Sequence, residues 1–347
     1  MILQNNMIGN PETILVYGAS GIGKTFQIEK CVQYLKEYFG WKPGDKPFAR
    51  VISWDSTIGP YKPYALEGSI DLLPANVIRD GDGEVPVLQV MTAIRRGMWL
   101  MPLPDGTSAW VGRKGSIPKF PQLSGLPIDN GIKAIFVEGI SELGDQLLQE
   151  HGNKARGLKA DGKASQAGRF TQEVLSYSDT IKGIESLPIN SASPILSHYG
   201  DVQDNILIEL LKTGILSFPV DVVICSMHES KGVDEVSGTP AIGPRLPGRK
   251  AVTNTMPKFG HCFHLDLVED PKTKATTRHA FFEKHVTPNS FNMRWQAKLS
   301  LSPSQLVAWK NKYPGDSIPL GLAGIKGSIA EFLQFILPPK ENHGTRI

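Results

Sequence analysis

The run Gly18-Ala19-Ser20-Gly21-Ile22-Gly23-Lys24-Thr25 narrows the fold more than any other part of this chain. Thr13 to Tyr17, just before it, is short, β-branched and apolar, which marks a buried strand. After it, Ile28, Cys31, Val32, Leu35 and Phe39 recur at helical spacing until Gly40 and Pro43 end the pattern. A buried strand that turns through glycines directly into a helix is the local unit of an α/β sheet protein. The run fits G-x-x-x-x-G-K-[ST] at every fixed position.

The chemistry of that pattern follows from its residues. Glycine lets the backbone of Gly18, Ala19, Ser20, Gly21, Ile22 and Gly23 curl so that successive N–H groups converge on phosphate oxygens. The helix that begins there adds the positive end of its dipole. Lys24 is expected to bridge the β- and γ-phosphates of ATP, and the Thr25 hydroxyl to ligate Mg²⁺.

Three further apolar runs read as central strands of a parallel sheet: Arg50 to Trp54, Ala134 to Val137, and Val220 to Cys225. Each is followed by a polar residue where ligands of open α/β sheets sit: Asp55, Glu138 and the pair His228-Glu229. Glu138, where Asp is usual, is expected to hold the metal through water. Asp55 is the candidate for orienting the attacking water, and His228 for registering the γ-phosphate. Cys262 to Leu267 and His279 to Phe282 would extend the sheet, and a helix over about Gln203 to Leu211 precedes the His228 strand.

This order of strands resembles the RecA-like ATPase core, and more narrowly the short phage-encoded RecA-like nucleotide-binding proteins, some of which act in single-strand annealing and recombination. The resembling stretches are Thr13–Thr25, Ile135–Leu143, Tyr199–Glu229, the Gly-Pro-Arg-Leu-Pro-Gly run at 243–248, and Trp295–Lys298. The resemblance implies a RecA-like P-loop core with a mostly parallel sheet flanked by helices, an ATPase acting on single-stranded DNA, and assembly into a ring or filament. It also implies that Arg294 or Lys298 reaches the nucleotide of a neighbouring subunit. Two other functions fit the same motif: a packaging or remodelling motor, and an assembly protein that keeps the fold to bind nucleotide.

The core is expected over 1–300, with an insertion at about 56–130 and a helical appendage over 301–347. Within the insertion, Val87 to about Met101 reads as a helix and Pro104 to Thr107 as a hairpin turn. Two basic stretches are candidate DNA loops, one with Lys154, Arg156, Lys159 and Lys163, the other with Arg245, Arg249 and Lys250. Aromatic residues near them are few, Phe170 and Phe259 being the first.

A net charge of +3 does not by itself demand nucleic acid. Three cysteines without paired spacing point to a reducing, cytoplasmic setting, and no run of the sequence has the length of a membrane span. Cys262 and His264 share a strand face but lack the further ligands of a zinc site, and the expected arrangement is a buried thiol beside a surface histidine.

Overall fold

The computed structural model describes residues 11–55, 58–75, 131–155, 196–233, 240–247, 254–283, 297–321 and 324–337, with short pieces of 79–111 and of 285–295. In chain order, β1 (Glu12–Gly18) enters α1 (Lys24–Tyr38), and β2 (Ala49–Ser53) is followed by α2 (Lys62–Leu66) and β3 (Ile70–Pro74). Two small antiparallel pairs come next, β4 (Arg79–Asp80) with β5 (Gly83–Glu84), and β6 (Trp99–Pro102) with β7 (Ser108–Val111). Then β8 (Ala134–Glu138) leads into α3 (Ile140–Ala155), and α4 (Leu196–Asp204) continues as a π-helix over Asn205–Lys212. The remainder is β9 (Val222–Val233), β10 (Pro240–Pro244), β11 (His261–Glu269), β12 (Thr276–Phe281), β13 (His285–Val286), β14 (Arg294–Trp295), α5 (Pro303–Lys312), β15 (Ser317–Pro319) and α6 (Ile329–Ile336).

The main sheet runs β3–β2–β8–β9–β1–β11–β12–β15. Six of these strands, β3 to β11 in that order, are parallel, and β12 and β15 add an antiparallel edge. The period of two in the strands divides their side chains between two cores. Ile14 and Val16 of β1 face the side with Ile28 and Leu35 of α1, Trp309 of α5 and Phe332 of α6. Leu15 and Tyr17 face the side with Leu143 and Leu147 of α3 and Ile206 and Leu210 of the π-helix. This is an α/β fold with a mostly parallel sheet between helical layers, in which one strand, β9, separates the strand of the glycine run from the Glu138 strand.

Several expectations shift. The strand over Val220 to Cys225 does not end at His228-Glu229, because β10 folds back on it and extends it to Val233, pairing Gly243 with Ser230 and Pro244 with Glu229. Ile70–Pro74, expected within an insertion, is the edge strand of the central sheet, since all of β3 pairs in parallel with β2. The helix expected to reach Met101 gives way to strand at Trp99, where pairing with β7 takes up the backbone groups. The expected turn, residues 104–107, lies outside the described residues; β6 and β7 on either side of it pair antiparallel. The segment after residue 300 is continuous with the core: β15 completes the sheet edge, and α6 rests on α1 with Phe332 and Leu333 fully buried.

Cys31, Cys225 and Cys262 are buried thiols. Among the described residues no helix is long and apolar enough to cross a membrane.

Candidate nucleotide-binding cleft

Because β1, β8 and β9 are parallel, their carboxyl ends open at one edge of the sheet, and the glycine run lies there. Gly23 has a φ of 104° and caps α1, a conformation that costs a residue with a Cβ and lets the loop close tightly against the helix. Register sets the rest of the site. Gly18 lies level with His228 on β9, and Ser53 of β2 level with Glu138 of β8. The resulting cleft, of about 310 Å³, is lined by the loop and by Asp55, Glu138, Glu142 and His228. That volume lies at the lower end of the range for small-molecule sites.

At the base of the cleft, Thr25 Oγ1 donates to Glu138 Oε2 at 3.0 Å, joining residues from the first helix and the third strand of the parallel set. Tyr61 donates its hydroxyl to the other carboxylate oxygen, Oε1, at 2.6 Å. Glu138 is only 1% exposed, and burial pushes its carboxyl up to about 7 although both hydroxyl hydrogen bonds act the other way. Lys24 Nζ donates to the carbonyls of Gly18 at 3.1 Å and Ala19 at 2.8 Å, so its ammonium lies within the loop. Burial lowers the Lys24 ammonium below its ordinary value, opposed by the charges of Glu138, Glu142, Glu229 and Asp55.

The far wall is a second polar group. His228 Nε2 lies 2.5 Å from Glu142 Oε1. Burial acts to raise the Glu142 carboxyl, but the His228 hydrogen bond and charge outweigh it, and the net shift is downward. The backbone N–H of His228 donates to Ser141 Oγ at 2.9 Å, and that hydroxyl donates to the Arg245 carbonyl at 2.8 Å. The Arg245 guanidinium is 2.5 Å from Asp145, which ties the Gly-Pro-Arg run to α3.

Lys24, Thr25, Asp55, Glu138 and His228 therefore meet in one cleft. Lys298 does not line it: its backbone pairs with Cys262, three residues along β11 from the level of Gly18. Arg294 lies in β14, and its side chain is outside the described residues. The same holds for the side chain of Lys154 and for Arg156, Lys159, Lys163, Arg249 and Lys250. Arg245 is described, in its pair with Asp145. Phe259, one of the two aromatics near the basic stretches, is 1% exposed and belongs to the core, so it offers no stacking face.

His264 is a correction of another kind. Its side chain is fully buried rather than on the surface, with Nε2 3.0 Å from Glu229 Oε2 and its ring 4.9 Å from that of Tyr17. Strand β12 pairs beside it, and its Phe281 stacks on the ring at 6.3 Å.

Three members of the site carried no sequence signal of their own strength. Glu142 lies four residues past Glu138, in the first turn of α3, where a carboxylate also favours the helix dipole. Ser141 beside it reads as an ordinary helix start. Tyr61 lies in a Gly-Pro-Tyr turn without periodicity and becomes visible only when β2 and β8 pair.

No protein-family model matches the sequence, and no curated protein does. Among solved structures, the chain is similar to a KaiC-like protein from Pyrococcus horikoshii, at 12% identity over 78% of each chain with a TM-score of 0.32. It is also similar to the flagellar accessory protein FlaH from Methanocaldococcus jannaschii, at 10% identity over 85% of this chain and 90% of that one, with a TM-score of 0.31.

Proposed function

We propose that this chain binds Mg-ATP on Gly18 to Thr25 and hydrolyses it, and that it does so as a RecA-like ATPase of phage type acting on single-stranded DNA. The observation that carries the nucleotide reading is the contact between the Thr25 hydroxyl and the buried Glu138 carboxylate, beside the glycine run and inside a cleft. The DNA part rests on the sequence likeness.

A metal fits this site on the same observation. Thr25 supplies a hydroxyl, Glu138 a carboxylate, and among the described residues no cluster of three or more His, Cys, Asp or Glu could cage an ion without phosphate. That suits Mg²⁺, which binds through one or two protein groups together with substrate phosphates. Thr25 and Glu138 would hold it, and when bound it would draw charge from the phosphoryl oxygens.

The chain's own groups do the remaining work in this reading. Lys24 gives up its loop carbonyls to meet the phosphates. Asp55 orients the attacking water, and His228, steadied by Glu142, registers whether a γ-phosphate is present. Arg294 or Lys298 serves the nucleotide of a neighbouring copy in a ring or filament.

The test compares the unaltered protein with Lys24→Ala. Fluorescent ATP should bind in a Mg²⁺-dependent manner, the variant should bind at least about tenfold more weakly, and its turnover should be lost. Absence of Mg²⁺-dependent ATP binding in the unaltered protein would remove the reading. Single-stranded DNA should raise turnover and bind less tightly as salt rises; no stimulation and no salt-sensitive binding would remove the DNA part alone.

A further inference from the structure

Glu138 is longer by one methylene than the Asp usual at its position, yet its carboxylate is held at both oxygens. Oε2 accepts from Thr25 and Oε1 accepts from Tyr61. We infer that Tyr61 is a positioning residue for Glu138: its hydroxyl clamps one carboxylate oxygen so that the other faces Thr25 and the metal. This inference rests on the Mg-ATP reading above.

Tyr61 is built for one contact. It is fully buried, and its ring belongs to the core between the sheet and α1. Burial, and then the Glu138 charge, hold its phenol well above the ordinary value, so the hydroxyl keeps its proton and remains a donor. A buried carboxylate needs such partners, because an oxygen without one keeps its desolvation penalty. Geometry explains the pairing of residue types. The Tyr61 turn follows β2 and packs on α1, and the Glu138 side chain reaches the hydroxyl of that turn and the hydroxyl of Thr25 together. An Asp at 138, one methylene shorter, would draw both carboxylate oxygens back from the two hydroxyls, which is what Glu138→Asp tests.

The same turn carries the cleft wall. Pro60 lines the cleft beside Asp55, and Trp54 N–H bonds to the Glu138 carbonyl at 3.0 Å. The Tyr61 hydroxyl therefore ties the Asp55 segment to the Glu138 strand at the side-chain level as well.

The experiment uses Tyr61→Phe and Glu138→Asp in the full chain. Binding of fluorescent ATP is titrated at several Mg²⁺ concentrations and in EDTA, alongside turnover. For Tyr61→Phe, the Mg²⁺ concentration at half-effect should rise about tenfold and kcat should fall about 10–100-fold, the range for loss of a partner to a metal-holding group. ATP binding in EDTA and KM at saturating Mg²⁺ should stay within about twofold, which also reports that the variant is folded. Glu138→Asp should show the same Mg²⁺ defect although it installs the usual residue, and it reads the clamp even if Tyr61→Phe does not fold. In a Glu138→Gln background, Tyr61→Phe should cause little further loss. An unchanged Mg²⁺ dependence in folded Tyr61→Phe, or a Glu138→Asp protein as good as the unaltered one, would overturn the clamp while leaving the Mg-ATP reading intact. Failure of the unaltered protein to bind Mg-ATP would remove both.

Discussion

Gly139 follows Glu138 with a φ of 75°, a left-handed conformation that glycine adopts at little cost. A Cβ on it would lie 2.6 Å from the backbone N of Asp55 and 3.0 Å from the carbonyl carbon of Trp54. Close approach of the two segments brings Asp55 and Glu138 to the same cleft, which Gly139 also lines. Gly139→Ala combines conformational strain with backbone overlap. It should lower unfolding stability by about 1–3 kcal/mol in urea titrations and reduce turnover more than ATP affinity, because Asp55 is displaced while the glycine loop is not. A variant as stable and active as the parent would show that the two segments separate freely. The phosphate loop was legible at this scale because its spacing is local. Tyr61, Glu142 and Gly139 were not, since their meaning depends on which strands pair.

Single elements show the same division. The helix after the glycine run was legible from Ile28, Cys31, Val32 and Leu35, all of which are fully buried in α1. The extension of β9 past His228 was not, because its partner β10 is held by Gly243 and Pro244, residues that mark turns in a sequence. Ile70–Pro74 was hidden for a related reason: a short edge strand set among Gly and Pro carries too little period to stand out. Helix α6 has eight residues and would not persist alone. Packing holds it: Phe332 meets the rings of His261 at 4.8 Å, Phe263 at 5.1 Å and Trp309 at 5.1 Å, two of them on β11 and one on α5. Phe332→Ala should therefore cost about 3–5 kcal/mol, read by chemical denaturation, as for other large aromatics removed from a core. A loss below about 1 kcal/mol would mean that α6 rests on the sheet without sharing its core.

At the scale of the whole molecule, the alternation of side chains along the strands separates two cores, and one buried histidine links global stability to pH. His264 lies on the face away from α1, against Tyr17 and Phe281, with Glu229 at 3.0 Å and Asp266 nearby. Burial lowers its imidazolium from 6.5 to about 3, with Asp266 acting in the opposite direction. In the unfolded chain the ring takes a proton as pH falls through 6.5, while the folded protein refuses it until about 3. The unfolded state therefore binds more protons across that window, and stability falls as pH falls. Glu138 has the opposite sign, because its raised carboxyl gains a proton in the folded state first. The two partly cancel in the parent, so the clean measurement is the difference between the parent and His264→Gln, in which Glu138 is common to both. From about pH 7.5 to about pH 5 that difference should move against the parent by about 2 kcal/mol, the effect of one group that protonates near 6.5 in the unfolded chain only. Urea titrations in EDTA at those two pH values would show it. A difference that did not change with pH would mean that His264 and Glu229 titrate together as an ion pair in the folded protein, and that the face behind the phosphate loop is polar rather than dry.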